Sequence, residues 1–139
     1  MAACYADDVL FSDPAFGTLQ GDDAKNMWRM LIRNAKDNLK ITVTDIEAGE
    51  MTGSANWIAE YNFSKTGRPV VNRIHARFEF RDGKIIRHID DFDLWKWSRQ
   101  ALGWTGILLG WSPWMKMKIQ KSTHRSLQEY SEGSRIKRT

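Results

Sequence analysis

Three ionisable side chains stand where apolar neighbours would change their chemistry: Asp13, His88 and Asp90. His88 and Asp90 are two apart, and in an extended chain residues two apart share a face. The same alternation adds Ile86, Phe92 and Leu94 to that face. Ionisable groups among large apolar ones are costly to bury, so the pair marks a candidate site. Burial disfavours the charged form of a carboxyl, raises its pKa toward neutrality, and lets it act as acid or base. Asp13 precedes Pro14, and proline drives the residue before it into extended geometry. Its carboxylate is therefore expected at a strand end, either aimed into a site or capping a turn. His88 has its own plain alternative, a hydrogen-bonded core histidine. Trp28, Trp57, Tyr61, Ile74, Phe78 and Phe92 are the large neighbours expected to line a pocket if the interior is open, and to be ordinary core if it is filled.

The elements that must position these groups are readable from period and punctuation. Residues 70–97 read as two long strands joined by a tight Asp82-Gly83 turn. On the first of them Ile74, Ala76, Phe78 and Phe80 alternate with Arg73, His75, Arg77 and Glu79. His75 then faces outward and suits an interface better than a site; Asp91 and Asp93 also face outward and are expected in salt bridges with Arg87 or with a second subunit. Residues 1–6 read as the end of a helix stopped by Asp7-Asp8, with a short strand following at 9–11. A helix starts at Gly21-Asp22-Asp23, with an aspartate at or near its N-cap, carries an apolar stripe of Ala24, Met27, Trp28, Leu31 and Ala35, and ends at Asn38. Alternation returns over 40–47 and 56–64, the latter with Trp57, Ala59, Tyr61 and Phe63 on one face. Residues 98–102 look helical, 103–110 form a glycine-bounded apolar loop, and Pro113 opens a last helix to about Ser131 with a loose end after it. Five of the seven tryptophans fall between Trp95 and Trp114. They must cover something: a partner subunit, a pocket mouth or, ranked last, a membrane surface.

Composition narrows the classes. The 139 residues hold one cysteine, Cys4, which allows no internal disulfide and no metal-ligand spacing. A reducing, cytoplasmic setting is expected, with neither metal nor cofactor. No apolar run reaches membrane-span length. The net charge of +4 sits in the tail: residues 111–139 carry seven basic and two acidic side chains, against 14 and 15 in residues 1–110. The body is near neutral, and nucleic-acid binding is not expected.

Four motifs occur in order over residues 1–97: Tyr5-Ala6-Asp7-Asp8-Val9-Leu10-Phe11-Ser12-Asp13-Pro14, Gly21 at the helix start, Phe78-Glu79-Phe80-Arg81-Asp82-Gly83-Lys84-Ile85, and Asp90-Asp91-Phe92-Asp93. On these the chain resembles the nuclear transport factor 2-like superfamily, in the branch of SnoaL-like polyketide cyclases, ketosteroid isomerase and limonene-epoxide hydrolase. The resemblance implies the α+β class: a cone-shaped, curved antiparallel (mixed) sheet wrapped over helices, the cystatin-like α+β barrel, here with an extra C-terminal helix. It also implies a homodimer through the sheet, and a SnoaL-like domain over 1–110 lacking the usual first helix, followed by a basic helix and tail over 111–139. Asp13 matches the isomerase's general base. Ala76 stands where that enzyme keeps a protonated aspartate as oxyanion donor, and the tyrosine donor of the usual first helix has no counterpart. The epoxide hydrolase's Arg-x-Asp is replaced by Ile58-Ala59-Glu60. The function expected is a cofactor-free isomerase, cyclase or hydrolase acting on a small hydrophobic substrate through Asp13, His88 and Asp90. The alternatives are a non-catalytic binder of such a molecule and a structural dimerisation module.

Overall fold

The computed structural model describes residues 2–138; Met1 and Thr139, the two ends of the terminal segments discussed above, lie outside it. A 3₁₀ turn at Ala2–Cys4 leads into β1 (Tyr5–Asp13) and β2 (Gly17–Gln20), then α1 (Asp22–Ala35) and a second 3₁₀ turn at Lys36–Asn38. Four longer strands follow: β3 (Lys40–Ala48), β4 (Thr52–Asn62), β5 (Pro69–Arg81) and β6 (Lys84–Asp91). Three helices close the chain, α2 (Leu94–Leu102), α3 (Trp104–Leu109) and α4 (Pro113–Arg138). The six strands make one curved mixed sheet in the order β2-β1-β6-β5-β4-β3, an α+β architecture. Only β1 and β6 run parallel. The sheet is open, with β2 and β3 as its edges, and does not close into the expected barrel.

The meander of β3 to β6 follows the alternation in the sequence, and its turn follows from residue type. Asp82 and Gly83 both take positive φ, 52° and 74°, the geometry of the tight hairpin turn that Asp-Gly favours. Beyond it one residue is inserted in β6: Phe80 pairs with Ile85 while Glu79 pairs with Arg87. The bulge turns Ile85 inward and leaves Ile86 half-buried, so the inner face holds Ile85, His88 and Asp90 rather than the expected Ile86, His88 and Asp90. The strand also stops at Asp91. Asp93 accepts from the N–H groups of Trp95 and Lys96 and caps α2, which removes Phe92 and Leu94 from the alternation.

Other expectations move as well. Tyr5 and Ala6, expected to end a helix, begin β1, and Asp7 and Asp8 lie within that strand instead of stopping a helix, with Tyr5 and Val9 buried. The stripe of α1 is Ala24, Met27 and Met30 beside half-buried Trp28, and Leu31 points to solvent. Its N-cap is Gly21, with Asp22 and Asp23 in the first turn, where their charge suits the helix dipole. Residues 104–109 are helical because Gly106 is a packing residue here: a Cβ there would lie 2.0 Å from the Ser98 carbonyl oxygen, so α3 crosses α2 backbone to backbone. α4 continues through 131–138 instead of fraying, and it buries Met115, Ile119 and Leu127 in the same core as Phe11, Met27 and Trp97.

Candidate functional site

The parallel pairing of β1 with β6 brings distant carboxylates to one place. Phe11 lies beside His88 and Ser12 beside Ile89. One step further along each strand stand Asp13 and Asp90, on the face that carries Phe11 and His88. Pro14 ends β1, and the turn to β2 closes on the aspartate itself: Asp13 Oδ1 accepts from the N–H of Ala15 at 2.9 Å and of Phe16 at 2.6 Å. α4 clasps this turn from outside. Gln120 Nε2 donates to the Pro14 carbonyl at 3.2 Å, Thr123 Oγ1 to that of Ala15 at 2.8 Å, and His124 Nε2 to that of Phe16.

Asp13 therefore both caps its turn and remains available. Oδ2 has no donor among the described residues. Burial is the largest influence on its pKa, opposed by the two backbone N–H groups and reinforced by the negative charge of Asp90, and the carboxyl is pushed up to about 7. A carboxyl poised near neutral pH can give or take a proton with little bias.

Behind Asp90 runs a buried chain of hydrogen bonds. Trp28 Nε1–H donates to Tyr5 Oη at 2.7 Å. Tyr5 Oη and His88 Nδ1 are 2.7 Å apart, as are His88 Nε2 and Asp90 Oδ1. An indole can only donate and a carboxylate can only accept. The carboxylate end assigns one link, Nε2–H donating to Asp90, and in the neutral imidazole Tyr5 O–H donates to Nδ1 while its oxygen accepts from Trp28. His88 is 1% exposed and Asp90 4%, so this chain satisfies both where water does not. Burial raises the Tyr5 phenol well above its ordinary pKa, and the Asp90 charge adds to that. Rings wall the imidazole in: Trp28 stacks on it at 5.9 Å and 11°, Phe78 lies at 4.5 Å, and Phe11 and Tyr5 meet it edge-on at 5.2 and 6.0 Å.

The other sequence-derived candidates divide. Trp57 is half-buried, 6.0 Å from Trp28, and pairs across the sheet with buried Ile74. Tyr61 accepts from Trp97 Nε1 at 2.8 Å; burial raises its pKa, and the Asp13 charge adds to the rise. Phe92 lies in the link to α2, half-buried against the core and off the strand. Tyr5 was missed as a partner of the site. The alternation of Val9, Phe11 and Asp13 extends back to Tyr5, which is buried like Val9 and Phe11, but the helical composition of residues 1–6 conceals it. The large cleft of about 840 Å³ lies on the outer face of the sheet, lined by His75, Arg77, Glu79 and Arg87 among others, and touches none of Asp13, His88 and Asp90. His75, as expected, faces outward there, with Nδ1 2.7 Å from Asn56 Oδ1. Among the described residues, no three His, Cys, Asp or Glu side chains converge as metal ligands.

A family model, the SnoaL-like domain, matches residues 1–88. The chain belongs to the SnoaL-like domain family. Solved structures agree on the fold of this SnoaL-like chain. A protein from Catenulispora acidiphila with a ketosteroid isomerase-like fold, in complex with trimethylamine, superposes with a TM-score of 0.64 at 18% identity, over 81% of this chain and 84% of that one. A protein from Rhodopseudomonas palustris named as a candidate isomerase gives 0.62 at 19%, over 73% and 81%. A candidate polyketide cyclase from Xanthomonas campestris gives 0.55 at 22%, over 72% and 81%. No curated protein matches the chain.

Proposed function

We propose that this SnoaL-like protein performs cofactor-free proton transfer on a small hydrophobic substrate bound against the inner face of β1, β5 and β6. Asp13 is the base: Oδ2 takes a proton from an activated carbon, and the same carboxyl returns it at another, so that an isomerisation balances with no added reactant. His88 and Asp90 assist. Their hydrogen-bonded pair, backed by Tyr5 and Trp28, places the Asp90 carboxylate near Asp13, where its charge adds to the effect of burial on the Asp13 pKa. Trp28, Trp57, Tyr61, Ile74 and Phe78 surround the substrate, and Phe92 closes one side. The observation that carries this reading is the placement of half-buried Asp13 beside buried Asp90 on neighbouring strands, where burial pushes the Asp13 carboxyl up to about 7. Isomerase and cyclase names among the fold's relatives support the class of reaction.

The experiment is a panel of apolar cyclic enones, epoxides and polyketide-like ketones followed by mass spectrometry and proton exchange into deuterated water. Turnover is expected to rise with pH through about 7, as Asp13 ionises, and to vanish in Asp13→Asn without any fall in melting temperature. Undiminished turnover in that variant refutes the assignment. A second reading, a binder without turnover, is favoured by the ring enclosure of His88. It predicts a ligand-dependent rise in melting temperature with no product. A homodimer through the outer sheet face, where the large cleft lies, accompanies either reading.

A further inference from the structure

The segment from α2 into α4 carries an exposed apolar surface that the site does not use. α3 sits on α2 through Gly106 and Gly110, whose added Cβ atoms would strike Ser98. The side chains of α3 therefore face away from the fold, and all but Thr105 are apolar: Trp104 is 79% exposed and Leu108 64%, with Ile107 and Leu109 beside them. Trp111, 70% exposed, continues the patch, its indole N–H tied to the Leu108 carbonyl at 2.9 Å. On α4, Trp114, Met117, Lys118, Lys121 and Arg125 recur at helical spacing on the side away from buried Met115, Ile119 and Leu127. A surface helix normally turns a polar face to water. Here both the short helix and the start of the long one turn tryptophan, leucine and methionine outward.

Charge selects the occupant. From residue 94 to residue 128 there is no aspartate or glutamate, while Lys96, Arg99, Lys116, Lys118, Lys121 and Arg125 are all cationic. Two of these already lie over exposed rings, Arg99 above Trp95 at 4.1 Å and Lys118 above Trp114 at 5.0 Å. Tryptophan at the headgroup level, aliphatic side chains below it and lysines beside it make the pattern of a helix lying in an anionic bilayer surface. No helix among the described residues is long and apolar enough to cross a membrane. We propose that α3 and the first turns of α4 dock this protein on the surface of an anionic lipid bilayer, with Trp104, Leu108, Trp111 and Trp114 entering the interface and Lys118 and Lys121 meeting the lipid charge.

Flotation of the full chain with phosphatidylcholine vesicles, with and without phosphatidylserine, tests this. The chain is expected to float with the anionic vesicles and far less with the neutral ones. Lys118→Gln with Lys121→Gln should weaken binding on the order of thirtyfold, about one lysine's worth of surface attraction each. Trp104→Gln with Trp111→Gln, both exposed and so expected to melt like the parent, should abolish flotation even at low salt. Failure to float with either vesicle overturns the proposal. So does flotation that survives the tryptophan changes and disappears with salt, which marks simple charge attraction. Light scattering adds a further overturning outcome: a dimer that the tryptophan changes convert to monomer, with no flotation, makes the patch an interface between two copies of this chain.

Discussion

At one end of the sheet α1 packs on β1 and stacks Trp28 on His88 of β6, α4 holds the turn after β1, and Val9, Phe11, His88 and Asp90 reach almost no solvent. At the other end β3 carries Ile41 and Val43 on the same inner face, opposite Ala59 and Trp57, yet all nine of its residues are exposed. The strands have the same period and the same kind of apolar residue. What differs is cover: α1 packs on β1 and β2 and α2 on β5, while β3 is left bare. Alternation assigns a side chain to a face, but only the helices decide whether that face excludes water. That is why Asp90 and His88 are shielded from water at the covered end.

Substitutions should separate the two ends. Phe11→Ala, which removes a ring 1% exposed between Trp28 and His88, is expected to cost roughly 3–5 kcal/mol by chemical denaturation. Asp13 binds its proton more tightly in the folded chain, at about 7, than at its ordinary 3.8. The stability held in its neutral form is thus whole below about pH 4 and is lost as pH rises toward 7. Asp13→Asn removes that loss, so above neutral pH it should be the more stable chain, on the order of 2–4 kcal/mol, with the difference vanishing near pH 4. Melting curves across that range check it, and identical slopes for the two chains would break the contrast. Tyr5→Phe takes the hydroxyl from between Trp28 and His88 and should cost about 1–3 kcal/mol. Val43→Thr, on the bare strand, should change stability by less than about 0.5 kcal/mol. A larger loss there would mean that β3 is covered in solution.

Much of this was legible in the residues. Asp82-Gly83 fixed the hairpin, and period two put His88 and Asp90 inward and His75 outward. Pro14 placed Asp13 at a strand end. What escaped has common causes. The β6 bulge inserts a residue, and one extra residue reverses a count by two, which hid Ile85. Tyr5 was hidden because residues 1–6 have helical composition, which masks the count by two running back from Val9. The four residues of β2 are too few to show a period. Gly103 and Gly110 read as the bounds of a loop, whereas Gly106 and Gly110 permit a close helix crossing, a contact that exists only once α2 is in place. The Asp93 cap was a readable sign that β6 ends early, since an aspartate ahead of Leu-Trp-Lys-Trp is a helix start.

The partners of the Asp13 turn also bear on the order of folding. Tyr5 meets His88 across 83 positions of chain, and the clasp of α4 on Pro14 and Ala15 spans 106 and 108. Contacts so remote are slow to form, because the entropy of closing the loop comes before any return from the contact. The β3–β6 meander, built from neighbours in sequence, can form first, leaving the parallel edge of β6 waiting for its strand. Refolding should therefore show an early sheet signal and a later quenching of Trp28 as its indole reaches His88, with β6 open to pairing with other molecules in between.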